Sequence, residues 1–179
     1  MSVELTNKLN KIKCFITDVD GVLSNGLLYL TVQNDEIKTF HVHDGVGLKL
    51  LMHANIHVAV ITASNNYIID KRMEQLGIKH YFSGQFNKRH AYQTLKKRLN
   101  LQDEQCAYVG DDVPDLAILE QVGFKATVSD ARPEVKDIAD FISQHPGGHG
   151  AVREICDLIL NNKQAMQTAL ESYLNHATQ

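Results

Sequence analysis

The segment KCFITDVDGVL, residues 13–23, decides the fold class. Its first half is a short apolar run of the kind that forms a buried strand. Its second half places two carboxylates, Asp18 and Asp20, directly after that run. Unpaired charge is costly beside a buried strand, so these two acids need an explanation from the rest of the chain.

Short apolar runs alternate with amphipathic stretches along the chain. The further strand candidates are residues 57–62, 80–84, 105–110 and 126–130. The helical candidates are residues 45–55, 66–77, 88–100 and 115–123, with Gly77 and Gly123 at the expected C-caps. This alternation predicts an α/β fold with a doubly wound, mostly parallel sheet that helices cover on both faces. Right-handed crossovers bring the carboxyl ends of the strands to one edge, where such sheets place their sites.

Residues 26–43 break this alternation. Apolar and polar residues alternate on both sides of Gln33-Asn34-Asp35, which predicts a β-hairpin with its turn at those three residues. The hairpin lies between the first strand and the first helix, so it should project from the site edge of the sheet. His41 and His43 alternate on its second arm and are expected to be surface or interface residues rather than metal ligands.

The last part of the chain carries a glycine-rich turn, HPGGHG, after which an amphipathic pattern runs from about residue 150 to residue 179. This pattern predicts one C-terminal helix. Because the sequence contains no repeat, low-complexity tract or linker, residues 1–179 are expected to form a single domain.

Composition excludes several classes of function. The net charge of −3 shows no basic excess, so nucleic acid is not an expected partner. No apolar stretch reaches the roughly 18 residues of a membrane span, and the N-terminal segment lacks the apolar core of a signal peptide. The cysteines Cys14, Cys106 and Cys156 are scattered, which favours reduced thiols in a cytoplasmic protein over a disulfide framework or a zinc site.

Polar residues follow each predicted strand at the point where it ends. They are Asp18 and Asp20 after the first strand, Thr62 and Ser64 after the second, Lys88 beyond the third, and Asp111, Asp112 and Asp115 after the fourth. Acids that converge on one edge repel one another unless a cation lies among them, and a few hard oxygen ligands suit Mg²⁺. A lysine and a threonine hydroxyl beside that ion can bind phosphate. The pattern therefore predicts metal-assisted phosphoryl chemistry with a carboxylate as nucleophile.

The motif DVDGV at 18–22, the strand-end Thr62, Lys88 and GDDVPD at 110–115 resemble, in order, the four motifs of the haloacid dehalogenase superfamily. The match extends along nearly the whole chain to the 3-deoxy-D-manno-octulosonate 8-phosphate (KDO 8-phosphate) phosphatase family. The segments that carry it are FHVHDGVGLKLL, NKRHAY, GDDVPDL and PGGHGAVREICDLIL. The resemblance implies a Mg²⁺-dependent phosphatase that acts on a phosphorylated sugar acid in lipopolysaccharide precursor synthesis.

The resemblance also implies a role for each motif residue. Asp18 would be the nucleophile that becomes an aspartyl phosphate, and Asp20 would be the general acid and then the base. Thr62 would bond a phosphate oxygen, and Lys88 would neutralise the nucleophile and the transferring group. The implied substrate contacts are Asp20, Gly21, Thr62, Ala63, Lys88 and Arg153.

The implied metal site consists of the Asp18 carboxylate, the backbone carbonyl of Asp20 and Asp111. Asp115 would orient Lys88. A nucleophile must stay ionised beside a cation, whereas an acid–base residue needs a pKa nearer neutrality, so neighbouring acids can take different roles.

Some of these residues have a simpler alternative. Thr62 could cap the following helix through its hydroxyl. Asp112 would lie just outside the metal ligands, but it could instead cap the helix that starts near Pro114. Arg153 could contact substrate or lie on the solvated face of the last helix.

The spacing of the motifs leaves no room for a cap domain. The hairpin, one helix and one strand already occupy the interval between Asp18 and Thr62, and one helix and one strand fill the interval to Lys88. A capless site is open, although phosphoryl transfer favours exclusion of water. The resemblance implies a homotetramer in which the hairpin and the C-terminal segment cover the neighbouring site.

Two departures from the family pattern affect specificity. Thr62-Ala63-Ser64 stands where many relatives have Thr-Gly-Arg, so a candidate substrate contact is missing, and His149 is unusual in the glycine-rich turn. A phosphatase for a nonulosonate 9-phosphate is therefore an alternative. A receiver module, which is phosphorylated on aspartate as a signal, is another, but such a module does not need an acid–base residue like Asp20.

Overall fold

The computed structural model describes residues 2–32 and 36–177. The strands are β1 Cys14–Thr17, β2 Tyr29–Leu30, β3 Glu36–Ile37, β4 His57–Ile61, β5 His80–Phe82, β6 Cys106–Val109, β7 Phe124–Thr127 and β8 Phe141–Ile142. The helices are α1 Val3–Lys11, α2 Val42–His53, α3 Tyr67–Leu76, α4 Lys88–Leu99, α5 Leu116–Leu119, α6 Pro133–Lys136, α7 Ala151–Asn162 and α8 Met166–Ala177.

The main sheet has six parallel strands in the order β5-β4-β1-β6-β7-β8, which confirms the predicted α/β fold. All four residues of β1 are buried, as expected for a central parallel strand that is covered on both faces. The chain leaves β1 toward β4 on one side and later returns to β6 on the other. This reversal makes the carboxyl end of β1 the topological switch point, where open α/β sheets bind ligands.

The helices form two layers, one on each face of the sheet. Helix α2 contacts α3, α7 and α8, whereas α4 contacts α5. Right-handed crossovers in opposite directions from β1 explain this division. Asn66 caps α3 by accepting a hydrogen bond from the Ile68 amide at 2.7 Å, and Gly77 ends α3 in the left-handed conformation, which confirms its predicted C-cap.

The predicted hairpin is confirmed, but its second arm is shorter than expected. Strands β2 and β3 are antiparallel, with Tyr29 opposite Ile37, while the predicted turn Gln33-Asn34-Asp35 lies outside the described residues. The placement of His41 and His43 on the second arm was wrong, because His41 is the N-cap of α2 and His43 lies in its first turn. In this first turn buried Asp44 accepts a hydrogen bond from the Arg153 amide at 2.7 Å, which ties the start of α2 to α7.

The prediction of a single C-terminal helix was wrong. Helix α7 ends before Gln164, whose φ of 53° is left-handed, and the Ala165 amide donates back to the Leu160 carbonyl. Helix α8 then packs against α2. His53 of α2 lies 2.9 Å from the Ser172 hydroxyl and makes an edge contact with Tyr173.

Several smaller elements also differ from expectation. Glu120, rather than Gly123, is the C-cap of α5, and β7 begins two residues before the predicted strand, at Phe124. Helices α1 and α6 and strand β8 were not predicted. Among the helices of the described residues, none combines the length and apolarity that crossing a bilayer requires. The three cysteines are buried and unpaired.

Candidate active site

A cavity of about 280 Å³ lies at the carboxyl ends of β1, β4 and β6. It brings together every predicted site residue except Arg153: Asp18, Asp20, Gly21, Thr62, Ala63, Lys88, Asp111, Asp112 and Asp115. The three strands lie side by side in the sheet, so the loops that follow them meet at this edge.

Lys88 is the central cation of the site. It is the first residue of α4, and its buried ammonium lies 2.6 Å from Asp18 Oδ2 and 2.7 Å from Asp115 Oδ1. Burial alone would lower the pKa of Lys88, but the charges of Asp18 and Asp115 raise it above its ordinary value. Lys88 therefore stays charged and holds one oxygen of Asp18.

Asp115 uses both of its oxygens within the protein. Oδ1 accepts hydrogen bonds from Lys88 and from the Tyr108 hydroxyl, at 2.7 Å and 2.6 Å. Oδ2 accepts from the backbone amides of Asp111 and Asp112, at 2.9 Å and 3.2 Å. Asp115 thus positions Lys88. The sequence analysis did not identify Tyr108 as a partner of Asp115, although a buried tyrosine needs a partner for its hydroxyl.

Asp18 and Asp111 have oxygens suited to a cation. Asp18 Oδ1 and Asp111 Oδ1 are buried, and no hydrogen-bond donor in the described part of the chain reaches either of them. One oxygen each of Asp18, Asp111 and Asp115 lies within 4.8 Å of the others. Since Asp115 is saturated with donors, the unpartnered oxygens of Asp18 and Asp111 fit a small divalent ion that prefers oxygen ligands.

The pKa values of these two carboxyl groups reflect the same shortage of positive charge. Burial, together with the charge of Asp115, raises the pKa of Asp18 to about 7 and that of Asp111 to about 8. Lys88 opposes both shifts but does not cancel them. A bound cation would favour the ionised forms, so the electrostatics also fit a metal site.

Gly21 leaves the space that Asp111 occupies. Its φ is +82°, and a β-carbon at this position would overlap the Asp111 carboxylate. The glycine-rich turn packs on the same loop, because the Gly148 amide donates to the Val22 carbonyl and a β-carbon at Gly147 would overlap the Gly21 carbonyl oxygen. Gly21 and Gly147 therefore preserve the shape of the loop after β1.

Asp20 lies at the cavity with its carboxyl group held by two side chains. Its Oδ1 accepts from the Ser24 hydroxyl at 3.2 Å and from the Lys38 ammonium at 2.6 Å. Burial lowers the pKa of Lys38, but Asp20 and Glu36 raise it to a net value above the ordinary one. Sequence reasoning missed Lys38, which reads as one polar residue among others in the hairpin.

The open alternatives for Thr62 and Asp112 have different outcomes. Thr62 is buried and accepts a hydrogen bond from the Ser64 amide at 3.1 Å, while Asn66 caps the following helix. Asp112 does cap a short 3₁₀ turn, since its Oδ1 accepts from the Val113 amide at 2.7 Å. Thr62 therefore supports the turn after β4 rather than capping α3.

The structure does not bring Arg153 to the cavity of its own chain. Its Nε donates to both oxygens of Asp157, at 2.8 Å and 2.9 Å, on the same helix. His149 is exposed, with its ring Nδ1 2.7 Å from the Gly147 carbonyl oxygen. Neither residue lines the site within one chain.

Comparison with known proteins identifies the family. A model described as haloacid dehalogenase-like hydrolase matches residues 80–155. The 3-deoxy-D-manno-octulosonate 8-phosphate phosphatase KdsC of Salmonella typhi is 42% identical over 160 residues, which cover 89% of this chain and 85% of that protein.

Solved structures agree with this assignment. A haloacid dehalogenase superfamily (subfamily III A) hydrolase from Legionella pneumophila has a TM-score of 0.95 and 55% identity, over 96% of this chain and 94% of that one. The 3-deoxy-D-manno-octulosonate 8-phosphate phosphatase from Moraxella catarrhalis, in complex with magnesium, phosphate and KDO, has a TM-score of 0.92 and 36% identity, over 97% and 99%. The chain therefore belongs to the 3-deoxy-D-manno-octulosonate 8-phosphate phosphatase family of haloacid dehalogenase-like hydrolases and is a phosphomonoesterase.

Proposed function

We propose that this chain hydrolyses KDO 8-phosphate to KDO and inorganic phosphate, with Mg²⁺ as cofactor, in lipopolysaccharide precursor synthesis. The observation that carries the proposal is the state of Asp18. One of its oxygens is held by Lys88, and the other is buried beside the unpartnered Oδ1 of Asp111, with no donor from the described residues. The Moraxella relative, which binds magnesium, phosphate and KDO, supports the same chemistry.

The residues that would hold Mg²⁺ are Asp18 and Asp111, through their carboxylates, and Asp20, through its backbone carbonyl. When bound, the ion would supply positive charge that keeps Asp18 ionised and offsets the charge of the phosphoryl group. Asp112, which caps the adjacent turn, would remain outside the ligands.

In the first step the Asp18 carboxylate attacks phosphorus. A bond forms between an Asp18 oxygen and phosphorus while the bond from phosphorus to the sugar oxygen breaks, which leaves an aspartyl phosphate. Lys88 offsets the charge on the nucleophile and the phosphoryl oxygens, and the Thr62 hydroxyl donates to one of those oxygens. Asp20 gives its proton to the departing alkoxide.

In the second step water attacks the aspartyl phosphate. Asp20, now ionised, takes a proton from that water as it attacks phosphorus. Inorganic phosphate leaves, the Asp18 carboxylate is regenerated, and Asp20 is again protonated for the next cycle. Through both steps Asp115 keeps Lys88 in place through its hydrogen bond to the ammonium, and Asp115 is held in turn by the Tyr108 hydroxyl and two backbone amides.

The exposed side of the hairpin supports assembly into a homotetramer. Its apolar side chains at Leu28, Leu30 and Val32 are 67%, 74% and 94% exposed. Several exposed apolar side chains close together on one segment are typical of an interface. In the proposed tetramer the hairpin covers the neighbouring site. As the family resemblance implies, the C-terminal segment would contribute to this cover as well.

The assembly has a direct test. Light scattering of the active enzyme should give a mass near four times the 20.1 kDa of one chain. Replacing the exposed Leu30 by Lys should lower that mass if the hairpin forms the interface. Full activity at the mass of a single chain would contradict the tetramer.

The substrate is tested by comparing phosphorylated sugar acids in the presence of Mg²⁺. The alternative substrate is a nonulosonate 9-phosphate, which is relevant because Ala63 and Ser64 line the cavity where many relatives have glycine and arginine. We expect the higher kcat/KM for KDO 8-phosphate. A preference of more than about tenfold for the 9-phosphate, or about 1.4 kcal/mol of transition-state binding, would overturn this choice.

A further inference from the structure

The side chain of Lys38 is buried although the residue belongs to the exposed hairpin. It follows β3 by one residue, and its side chain is 2% exposed, whereas its neighbour Ile37 is 53% exposed. Its Nζ lies 2.6 Å from Asp20 Oδ1 and 2.7 Å from Glu36 Oε1. A buried ammonium is costly unless it is paired, and the carboxylates of Asp20 and Glu36 supply that pairing.

The hydrogen-bonded chain continues from Lys38 to a rigid part of the fold. Glu36 accepts a hydrogen bond from Asn66 Nδ2 at 2.5 Å through Oε2, its other oxygen. Asn66 is fixed in turn as the N-cap of α3. Side chains at four positions thus connect the loop after β1, the hairpin and α3. They are Asp20, Lys38, Glu36 and Asn66.

The contact with Asp20 is directional. In the part of the chain that the structure describes, both donors to this carboxyl group, Lys38 and Ser24, reach Oδ1. This arrangement fixes the plane of the group and leaves Oδ2 to exchange a proton. A salt bridge that only held the hairpin against the domain could be formed with any surface carboxylate. This one ends on the carboxyl group that lines the cavity two residues after Asp18.

We propose that Lys38 is a positioning residue for phosphoryl transfer. It holds Asp20 Oδ1 so that Oδ2 meets the oxygen of the leaving group, and Glu36 and Asn66 make this alignment depend on the seating of the hairpin. The inference rests on the proposed function, since it takes Asp20 as the acid–base residue.

The test compares substrates that differ in their need for a general acid. The leaving group of an alkyl phosphate such as KDO 8-phosphate is a basic alkoxide, whereas that of p-nitrophenyl phosphate is a stable phenolate that needs no proton. General acid catalysis contributes about 10²- to 10⁴-fold. We therefore expect Lys38→Met to lower kcat on the alkyl phosphate about 100-fold, with KM changed less than about threefold.

The same variant should release p-nitrophenolate in the pre-steady-state phase at nearly the wild-type rate. Hydrolysis of the aspartyl phosphate should be slow, because it uses Asp20 as the base, so the burst should approach one product per site. Lys38→Arg should recover most of the loss, since it keeps the charge. Glu36→Gln should give a smaller loss with the same substrate dependence, and the exposed Lys97→Met is the matched control.

The outcomes distinguish the positioning role of Lys38 from the proposed function. Equal losses in the rate of the first chemical step on both substrates, or unchanged rates on both, would overturn the positioning role. If Lys38→Met does not fold, as judged by circular dichroism, the same comparison is decided by Glu36→Gln, for which equal first-step losses on both substrates would overturn the positioning role. Wild-type rates in Asp20→Asn would overturn the proposed function itself. A large loss in Asp20→Asn beside normal rates in Lys38→Met would overturn only the inference about Lys38.

Discussion

Replacing Asp18 by Asn should abolish turnover and, in the absence of metal, make the protein more stable at pH 8. Asp18, Asp111 and Asp115 surround one lysine, Lys88, so the metal-free site carries an excess of negative charge. The amide has nearly the same size as the carboxylate and removes one of those charges. It also cannot serve as the nucleophile that the proposed mechanism requires.

The magnitude follows from the pKa of Asp18. Burial and Asp115 raise this pKa from 3.8 to about 7 in the folded protein. Between these values the folded state binds more protons than the unfolded state, so wild-type stability falls as the pH rises from about 4 to about 7. A shift of about 3 units corresponds to an upper limit of about 4 kcal/mol at pH 8, at about 1.4 kcal/mol per unit.

The assay is urea unfolding in EDTA across the pH range from about 4 to about 8. Asp18→Asn should match the wild type near pH 4 and exceed it increasingly toward pH 8. Asp137→Asn, at an exposed carboxylate, is the control and should show no such trend. A variant that is less stable than the wild type at pH 8, or a difference that does not change with pH, would refute the electrostatic reasoning.

Three further predictions follow from the same contacts. Stabilisation by Mg²⁺, measured as the rise in Tm at fixed ion concentration, should grow between about pH 6 and about pH 8. Asp111, whose pKa is about 8, must lose its proton to bind the ion. A rise in Tm that does not change with pH would contradict this. Tyr108→Phe should cost about 1 kcal/mol of unfolding free energy in urea, since it removes one of the donors to Asp115, and an unchanged midpoint would refute that role. Asp44→Ala should cost about 2 kcal/mol in the same assay, because buried Asp44 accepts a hydrogen bond from the Arg153 amide at the start of α7. Asp44→Asn keeps an acceptor and should cost less. Equal losses in the two variants would show that this hydrogen bond contributes little.

The position of the reacting groups could be predicted because it follows from local pattern and general topology. Asp18, Thr62 and Asp111 each come directly after an apolar run or one residue later. Parallel strands with right-handed crossovers place such positions on one edge. The structure puts all three in one cavity. Such a prediction requires only the positions at which the strands end, and hydrophobic periodicity locates these positions well.

The supporting contacts could not be predicted in the same way, because they join residues that are distant in sequence. Lys38 reaches back to Asp20 across the hairpin, and Asp44 of α2 binds the amide of Arg153 on α7. Composition and spacing do not show which polar residue of a hairpin points toward the site.

The break between α7 and α8 is a related case. The helical period continues through residues 160–166, but Gln164 takes a left-handed conformation, which costs roughly 1–2 kcal/mol for a residue with a side chain. Packing of both helices against α2 offsets that cost. Local propensity favours one long helix here, and only the position of α2 favours two.

The acids of the site show most clearly what the fold adds to the motif. In the sequence Asp111 and Asp115 are two carboxylates of one segment, GDDVPD, with nothing to separate their roles except family resemblance. In the structure, Asp115 receives four donors, whereas no donor from the described residues reaches Asp111 Oδ1. A carboxylate with all its acceptor positions filled by protein donors gains little from a metal, while a buried carboxylate oxygen without a donor gains a great deal. The number of donors that reach each oxygen, rather than closeness to the other acids, therefore decides that Asp111 would bind the ion and that Asp115 would fix Lys88.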